Sequence, residues 1–303
     1  MTKSDASVLL FFIDGLGIGT RGPFNPLDSL PNAAPLAVFQ NETPETFLDG
    51  LVVTTDPRLG IEGRPQSASG QTTILTGINA PATIGYHKQG FPNKPLLEII
   101  GRHSIFRQLT DAGVGPITFA NAYTSRFFDE RPRWISATTA AVEAASLRFR
   151  TVEDVRNDNA VFMDYSNRIL IERGEDVAER SEHEAATVLS NIVAQNRFTL
   201  YEYFITDKVG HAQDMAEARS VLTSLALFLR ETLIRLDLKR TTVILTSYHG
   251  NVEDLSSRND TLHAVPTIVW GAQPERTASR IRNLADITPA IVALLTNNRR
   301  VAD

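Results

Sequence analysis

The chain contains no cysteine. That absence excludes disulfides, thiolate metal sites and cysteine nucleophiles. An excess of positive charge is also missing: 30 Lys and Arg stand against 35 Asp and Glu, for a formal net charge of −5 and a pI near 5.7. A nucleic-acid partner is therefore not expected. Long hydrophobic runs are lacking as well. The N-terminal MTKSDAS leads into only six apolar residues, VLLFFI, residues 8–13, too few for the hydrophobic region of a signal peptide or for a membrane span. A cytoplasmic protein with no membrane partner is the expectation. There is no internal repeat and no low-complexity tract. The dinucleotide fingerprint is absent too, because it needs G-x-G-x-x-G between strand and helix. After VLLFFI and Asp14 the glycines at 15, 17 and 19 are spaced G-x-G-x-G, and Pro23 and Pro26 fall where a helix would start. Those glycines read better as letting backbone crowd a site built around Asp14.

What is present is an ordinary globular composition, 42% hydrophobic and 21% charged over 303 residues, enough to bury a large core. VLLFFI reads as a fully buried strand. SIFRQLTDAG then PITFA reads as helix and strand, with Gly113 as the stop. Ser181 and Glu184 form an S-x-x-E capping box before a helix that leads into the strand FTLYEYFIT. In VLTSLALFLRETLIRL, Leu222, Leu225, Leu229, Leu233 and Leu236 share one helical face, and the strands TTVILTS and VPTIVW follow. Thr288 before Pro289 suggests a cap and first turn for a final helix. The alternation predicts an α/β fold: a mostly parallel sheet with helices on both faces. Residues 20–60 read as a long loop with short helices. Residues 122–180, charged and weakly periodic, read as a small insert or cap between the core segments 1–121 and 181–303.

In open α/β sheets ligands collect at the carboxyl ends of the strands, so the residues following each strand carry the chemistry. Asp14 follows the first. D-K-V-G-H, with Asp207 and His211, follows FTLYEYFIT. Tyr248-His249-Gly-Asn follows TTVILTS, and His263 comes just before VPTIVW. Mixed His/Asp donors suit zinc, manganese or iron rather than calcium. In GRPQSASGQTTILTG, residues 63–77, Ser67 and Ser69 stand at a loop-to-helix junction, where free backbone N–H groups and the positive helix end favour phosphate. A serine beside a metal can ionise near neutral pH and attack phosphorus. His87 in GYHKQGFP could line the pocket, and Arg126, Arg131 and Arg133 could bind a charged substrate group from the cap.

An Asp after the first strand, a serine in S-x-x-G, then D-x-x-G-H, x-H-G-N and a final His: in this order the chain resembles the alkaline phosphatase superfamily. Within it the chain is most similar to the branch of cofactor-independent phosphoglycerate mutase and phosphopentomutase. The resemblance covers roughly 5–85 and 185–300. It implies two divalent ions, manganese or zinc, one held by Asp207, His211 and His263 and the other by Asp14, His249 and the nucleophile. By its place three residues before Gly70, Ser67 matches the nucleophile, with Ser69 as fallback. The sulfatase motif, Cys or Ser followed by x-P-x-R, is not matched by SASGQ.

The family has an aspartate where this chain has Tyr248. Three outcomes follow: Tyr248 ligates as a phenolate, Glu253 or Asp254 substitutes, or the second site is weak and a single ion binds. The resulting expectation is a metal-dependent phosphatase acting on a small phosphate ester through a phosphoserine intermediate. A phosphomutase, or a weakly active or inactive relative that binds a phosphate compound, stands beside it. Substrate and oligomeric state are left open.

Overall fold

The structure, a computed structural model, describes residues 6–296. Most of the N-terminal MTKSDAS reading thus lies outside the described residues. Eight strands form: β1 Ser7–Ile13, β2 Leu51–Thr55, β3 Ile117–Phe119, β4 Ala122–Tyr123, β5 Arg150–Thr151, β6 Phe198–Tyr203, β7 Thr241–Thr246 and β8 Val265–Trp270. Six of them make the main sheet in the order β2-β8-β7-β1-β6-β3. β1 pairs in parallel with β6 and β7, and β3 pairs in parallel with β6. β8 runs antiparallel to both β7 and β2. The architecture is mixed α/β with a mostly parallel central sheet, as the alternating pattern implies.

β1 reads as an unbroken apolar run because both its faces are covered. Leu9, Phe11 and Ile13 enter one core with the helices Glu182–Ala194 and Met215–Arg235. Val8, Leu10 and Phe12 enter the other, with helices Ser67–Thr76, Lys94–His103, Ala137–Ala144 and Ile287–Thr296. Each fully buried side chain of this kind contributes roughly 1.5–3 kcal/mol. The central strand is held from both sides, and so is Asp14 at its end, whose N–H donates to the Tyr203 carbonyl at 2.9 Å.

Several local expectations differ in detail. Residues 20–60 form turns with the strand β2 and no helix; LVVTT pairs against β8, a tertiary contact that composition does not announce. The last helix starts at Ile287, so Thr288 lies inside it and donates to the Ile74 carbonyl at 2.6 Å. Asn283 caps the short 3₁₀ turn before it. The Ser181–Glu184 capping box forms as the spacing predicts. Between 122 and 180, β4 and β5 pair with each other, and Ala122, Val152, Val155, Ala160, Phe162 and Leu170 make a small core of their own. The helix Ala137–Ala144 of the same stretch packs into the main core.

Glu202 interrupts the apolar β6 and is buried. Burial pushes its carboxyl up to about 8, against a hydrogen bond from Thr138 that works the other way. A carboxyl raised this way favours folding below its ordinary value of 4.5 and loses that contribution as pH rises through about 8. Glu202→Gln is expected to flatten this dependence. Urea denaturation from about pH 5 to about pH 9 should show the natural chain losing on the order of 4 kcal/mol more than the variant.

Candidate metal centre

The carboxyl ends of β1, β6 and β7 and the amino end of the antiparallel β8 lie on one edge of the sheet. β6 gives way almost at once to the helix Ile205–Ala212, so D-K-V-G-H is helical rather than loop. Asp207 and His211 therefore sit one turn apart on one face, with His211 Nε2 3.3 Å from Asp207 Oδ2. His249 is brought in by the loop after β7, its Nε2 3.6 Å from Asp14 Oδ1.

Two groups of donors result. Asp14, Asp207 and His249 each offer an atom within 4.8 Å of the others, and so do Asp207, His211 and Asp260. Asp207 belongs to both. Asp260 joins the two imidazoles: Oδ1 is 3.7 Å from His211 Nε2 and Oδ2 is 3.8 Å from His249 Nε2. Gln66 donates to Asp260 Oδ2 at 2.7 Å, and Arg64 donates to its main-chain carbonyl at 2.7 Å. The residues next to Gln66 are Ser67 and its helix. Ser67 is the first helical residue, preceded by Gln66 at the cap, and its Oγ is 3.4 Å from His249 Nε2. Ser69 is buried and committed elsewhere: its Oγ donates to the Gln66 carbonyl and accepts from the Lys88 N–H.

His263 stands outside both donor groups. Its Nδ1 lies 3.0 Å from Glu253 Oε1, and this hydrogen bond raises its pKa. Glu253 is fully buried and also accepts from the N–H groups of Gly17 at 3.0 Å and Asn251 at 2.7 Å, and from the Thr261 hydroxyl. It serves as a clamp between loops. Tyr248 is buried against Phe12; its hydroxyl accepts from Gln71 at 3.0 Å and donates to Asp14. Burial, with Asp14 beside it, raises the phenol well above its ordinary pKa. In this arrangement Tyr248 holds the Asp14 carboxylate in place. His87 binds the Ile61 carbonyl at 3.3 Å, and burial lowers its pKa. Arg126 and Arg131 pair at the surface with Glu130 and Glu143, and Arg133 lies over Trp134. None of these four is in a donor group.

Two glycines permit the close packing. Gly15 has φ +71°, and a Cβ there would lie 3.0 Å from the Asp207 Cα; at Gly17 it would strike the Glu253 carboxylate. Sequence reasoning missed Asp260 and Glu202. Asp260 lies three residues before His263 in the same loop, a spacing that could have drawn notice. An acid inside an apolar strand was the signal for Glu202.

The electrostatics test whether a cation fits. Burial and then repulsion from Asp207 raise the Asp14 carboxyl well above its usual range, and burial raises Asp207. Asp14 Oδ1, Asp207 Oδ1, His249 Nδ1 and Asn251 Oδ1 are buried with no hydrogen-bond partner. Among the described residues the ion-pair partners of Asp14, Asp207 and Asp260 are histidines, with no lysine or arginine. Buried like charges with orphaned oxygens fit a divalent cation.

A core α/β sheet with carboxylates and imidazoles gathered at its strand ends defines a class of metal-binding enzyme folds. A family model described as the metalloenzyme superfamily matches residues 139–299, just over half of the 303 residues, and the chain belongs to that superfamily. Solved structures share the fold. The PH0037 protein from Pyrococcus horikoshii is 14% identical with a TM-score of 0.55, covering 96% of this chain and 97% of its own. A cold-active alkaline phosphatase from a psychrophilic Shewanella is 11% identical with a TM-score of 0.54, covering 95% and 99%. A lipoteichoic acid synthase from Listeria monocytogenes is 11% identical with a TM-score of 0.55, covering 97% of this chain and 72% of that one. At these identities the likeness is one of fold. No curated protein sequence matches the chain. No helix among the described residues is long and apolar enough to cross a membrane.

Raised carboxyls cost the ion-free chain stability as pH climbs above their ordinary range. Asp207→Asn is expected to stabilise the chelator-treated protein at pH 7–8 by roughly 1–4 kcal/mol and to erase the rise in Tm expected of the natural chain on adding a divalent ion such as manganese or zinc. Differential scanning calorimetry with and without ion reads both effects.

Proposed function

We propose that this chain is a metal-dependent phosphoryl-transfer enzyme that hydrolyses a small phosphate ester through a phosphoserine on Ser67. The observation that supports it best is the Ser67 hydroxyl, 3.4 Å from His249 Nε2, at the start of a ten-residue helix and beside the donor groups. Asp14 and His249 with Ser67 would hold one divalent ion; Asp207, His211 and Asp260 would hold the other. His263, expected from motif order as a ligand, lies outside both groups and is held by Glu253 through Nδ1. Bound ions would lower the pKa of a neighbouring hydroxyl and neutralise charge on phosphoryl oxygens.

The chain's own groups do the rest. Of the N–H groups just after Ser67, those of Ser69 and Gly70 already donate to the Lys88 and Gln66 carbonyls, which leaves the Ala68 N–H at the helix start to donate to a phosphoryl oxygen. Ser67 Oγ bonds to phosphorus as the bond to the ester oxygen breaks; the alcohol leaves with that electron pair and takes up a proton. Water then attacks the phosphoserine, inorganic phosphate leaves, and Ser67 regains its proton. Tyr248 and Gln71 keep Asp14 oriented throughout. Residues 122–180 act as a small cap, and their size favours hydrolysis over the mutase reading, in which an acceptor hydroxyl replaces water. Tyr248 in place of an acid favours the other reading, a weakly active phosphate-binding relative.

One paired experiment separates these. Metal stoichiometry and 4-nitrophenyl phosphate turnover are measured for the natural chain, Ser67→Ala and Tyr248→Asp. The natural chain should bind ions and turn over; Ser67→Ala should lose at least about 10³-fold in kcat with its ions retained. Tyr248→Asp should gain ion occupancy. Undiminished turnover in Ser67→Ala rejects the nucleophile, and a natural chain that binds no ion favours the binding relative.

A further inference from the structure

A cavity of about 270 Å³ lies at the ends of β3 and β6, one strand over from Asp14, and its wall includes Phe119, Tyr123, Phe127, Phe162, Phe204 and Glu202. It is a built site. The aromatic rings brace one another, Tyr123 lying 4.6 Å from Phe127 and 4.8 Å from Phe149 between centroids. Glu202 is 2% exposed. Its main chain is fixed on both sides by Asn121, which accepts from the Glu202 N–H at 2.9 Å and donates to its carbonyl at 2.7 Å. Of its two carboxyl oxygens, Oε1 accepts from Thr138. Oε2 has no hydrogen bond among the described residues and is not fully sealed from solvent. A buried carboxyl with one oxygen committed and one available, set among aromatic rings, is the pattern of a small-molecule pocket with a single polar anchor.

The position ties the cavity to the candidate metal centre. Phe204 precedes the helix that carries Asp207 and His211, and the Asp14 N–H donates at 2.9 Å to the carbonyl of Tyr203, the residue between Glu202 and Phe204. We propose that this cavity holds the alcohol portion of the phosphate ester, and that this portion is aromatic, its ring packed among the phenylalanines and its hydroxyl oxygen or a ring substituent hydrogen-bonded to Glu202. The assignment to an ester's alcohol rests on the phosphoryl-transfer reading. Ring-on-ring packing favours an aromatic over an aliphatic occupant of the same size. A cationic occupant is disfavoured, because burial keeps Glu202 protonated near neutral pH and Arg173 lines the same cavity. The volume admits a single ring system rather than an extended ligand.

The test uses the full chain, with 4-fluorophenol as probe and cyclohexanol as the aliphatic control, read by ¹⁹F NMR and isothermal titration. Thr124→Trp fills the cavity from the first position of an exposed turn where the threonine side chain caps nothing. Phe127→Ala removes one wall from the same exposed turn. The natural chain should bind 4-fluorophenol saturably and at least about 10-fold tighter than cyclohexanol, and each variant should lose about 10-fold. Binding that is absent, equal for the two probes, or unchanged in both variants overturns the proposal. In the turnover arm, KM for 4-nitrophenyl phosphate should rise about 10-fold in both variants, and by more than KM for glycerol 2-phosphate, whose alcohol has no ring to lose. Selective phenol binding in a chain that hydrolyses neither ester upholds the cavity and rejects the phosphoryl-transfer reading.

Discussion

The crowding of like charges in a place with little water is the constraint around which this molecule is arranged. Asp14, Asp207 and Asp260 approach one another at the edge of a sheet whose central strand is sealed on both faces. Left alone, such carboxylates repel and lose hydration, and the raised pKa values of Asp14 and Asp207 record that cost. The fold tolerates it because the surrounding core is large and the offending groups are few. A cation would reverse the sign of the interaction.

The neighbouring polar residues make sense in that light. Gln71 and Tyr248 act in series on Asp14, and Gln66 acts on Asp260. Gln66 also precedes Ser67, so the segment that orients one carboxylate places the hydroxyl as well. The phenol at 248 sets a neutral group beside Asp14 and leaves no hole, since the ring packs on Phe12 and His249. Charge and packing are thereby separated at one position.

How much of this was legible beforehand follows from periodicity and spacing. β1 is a continuous apolar run, and β6 and β7 are largely apolar strands buried along their whole length, so the sheet and its strand-end residues could be read directly. Asp14, Asp207, His211, His249 and Ser67 are near one another for that reason. β2 could not be read, since LVVTT owes its state to pairing with β8 rather than to its own pattern. Asp260 was hidden for a similar reason. It lies in an irregular loop between β7 and β8, where chain geometry decides which of several polar residues turns inward, and His263 was the one that motif order suggested. The role of Tyr248 depended on Gln71, a contact across 177 positions of sequence. No local rule supplies that.

Glu253 carries a wider consequence. One sealed carboxylate joins the glycine loop after β1, the turn after β7 and the segment leading into β8. The first is remote in sequence from the other two, which are opposite ends of one long loop, and all would otherwise fluctuate independently. Tethered to a common anchor, they behave as a single rigid rim. Ligand donors mounted on such a rim are poised before any ion arrives, so the entropy of assembling them is lost during folding and not at the moment of capture.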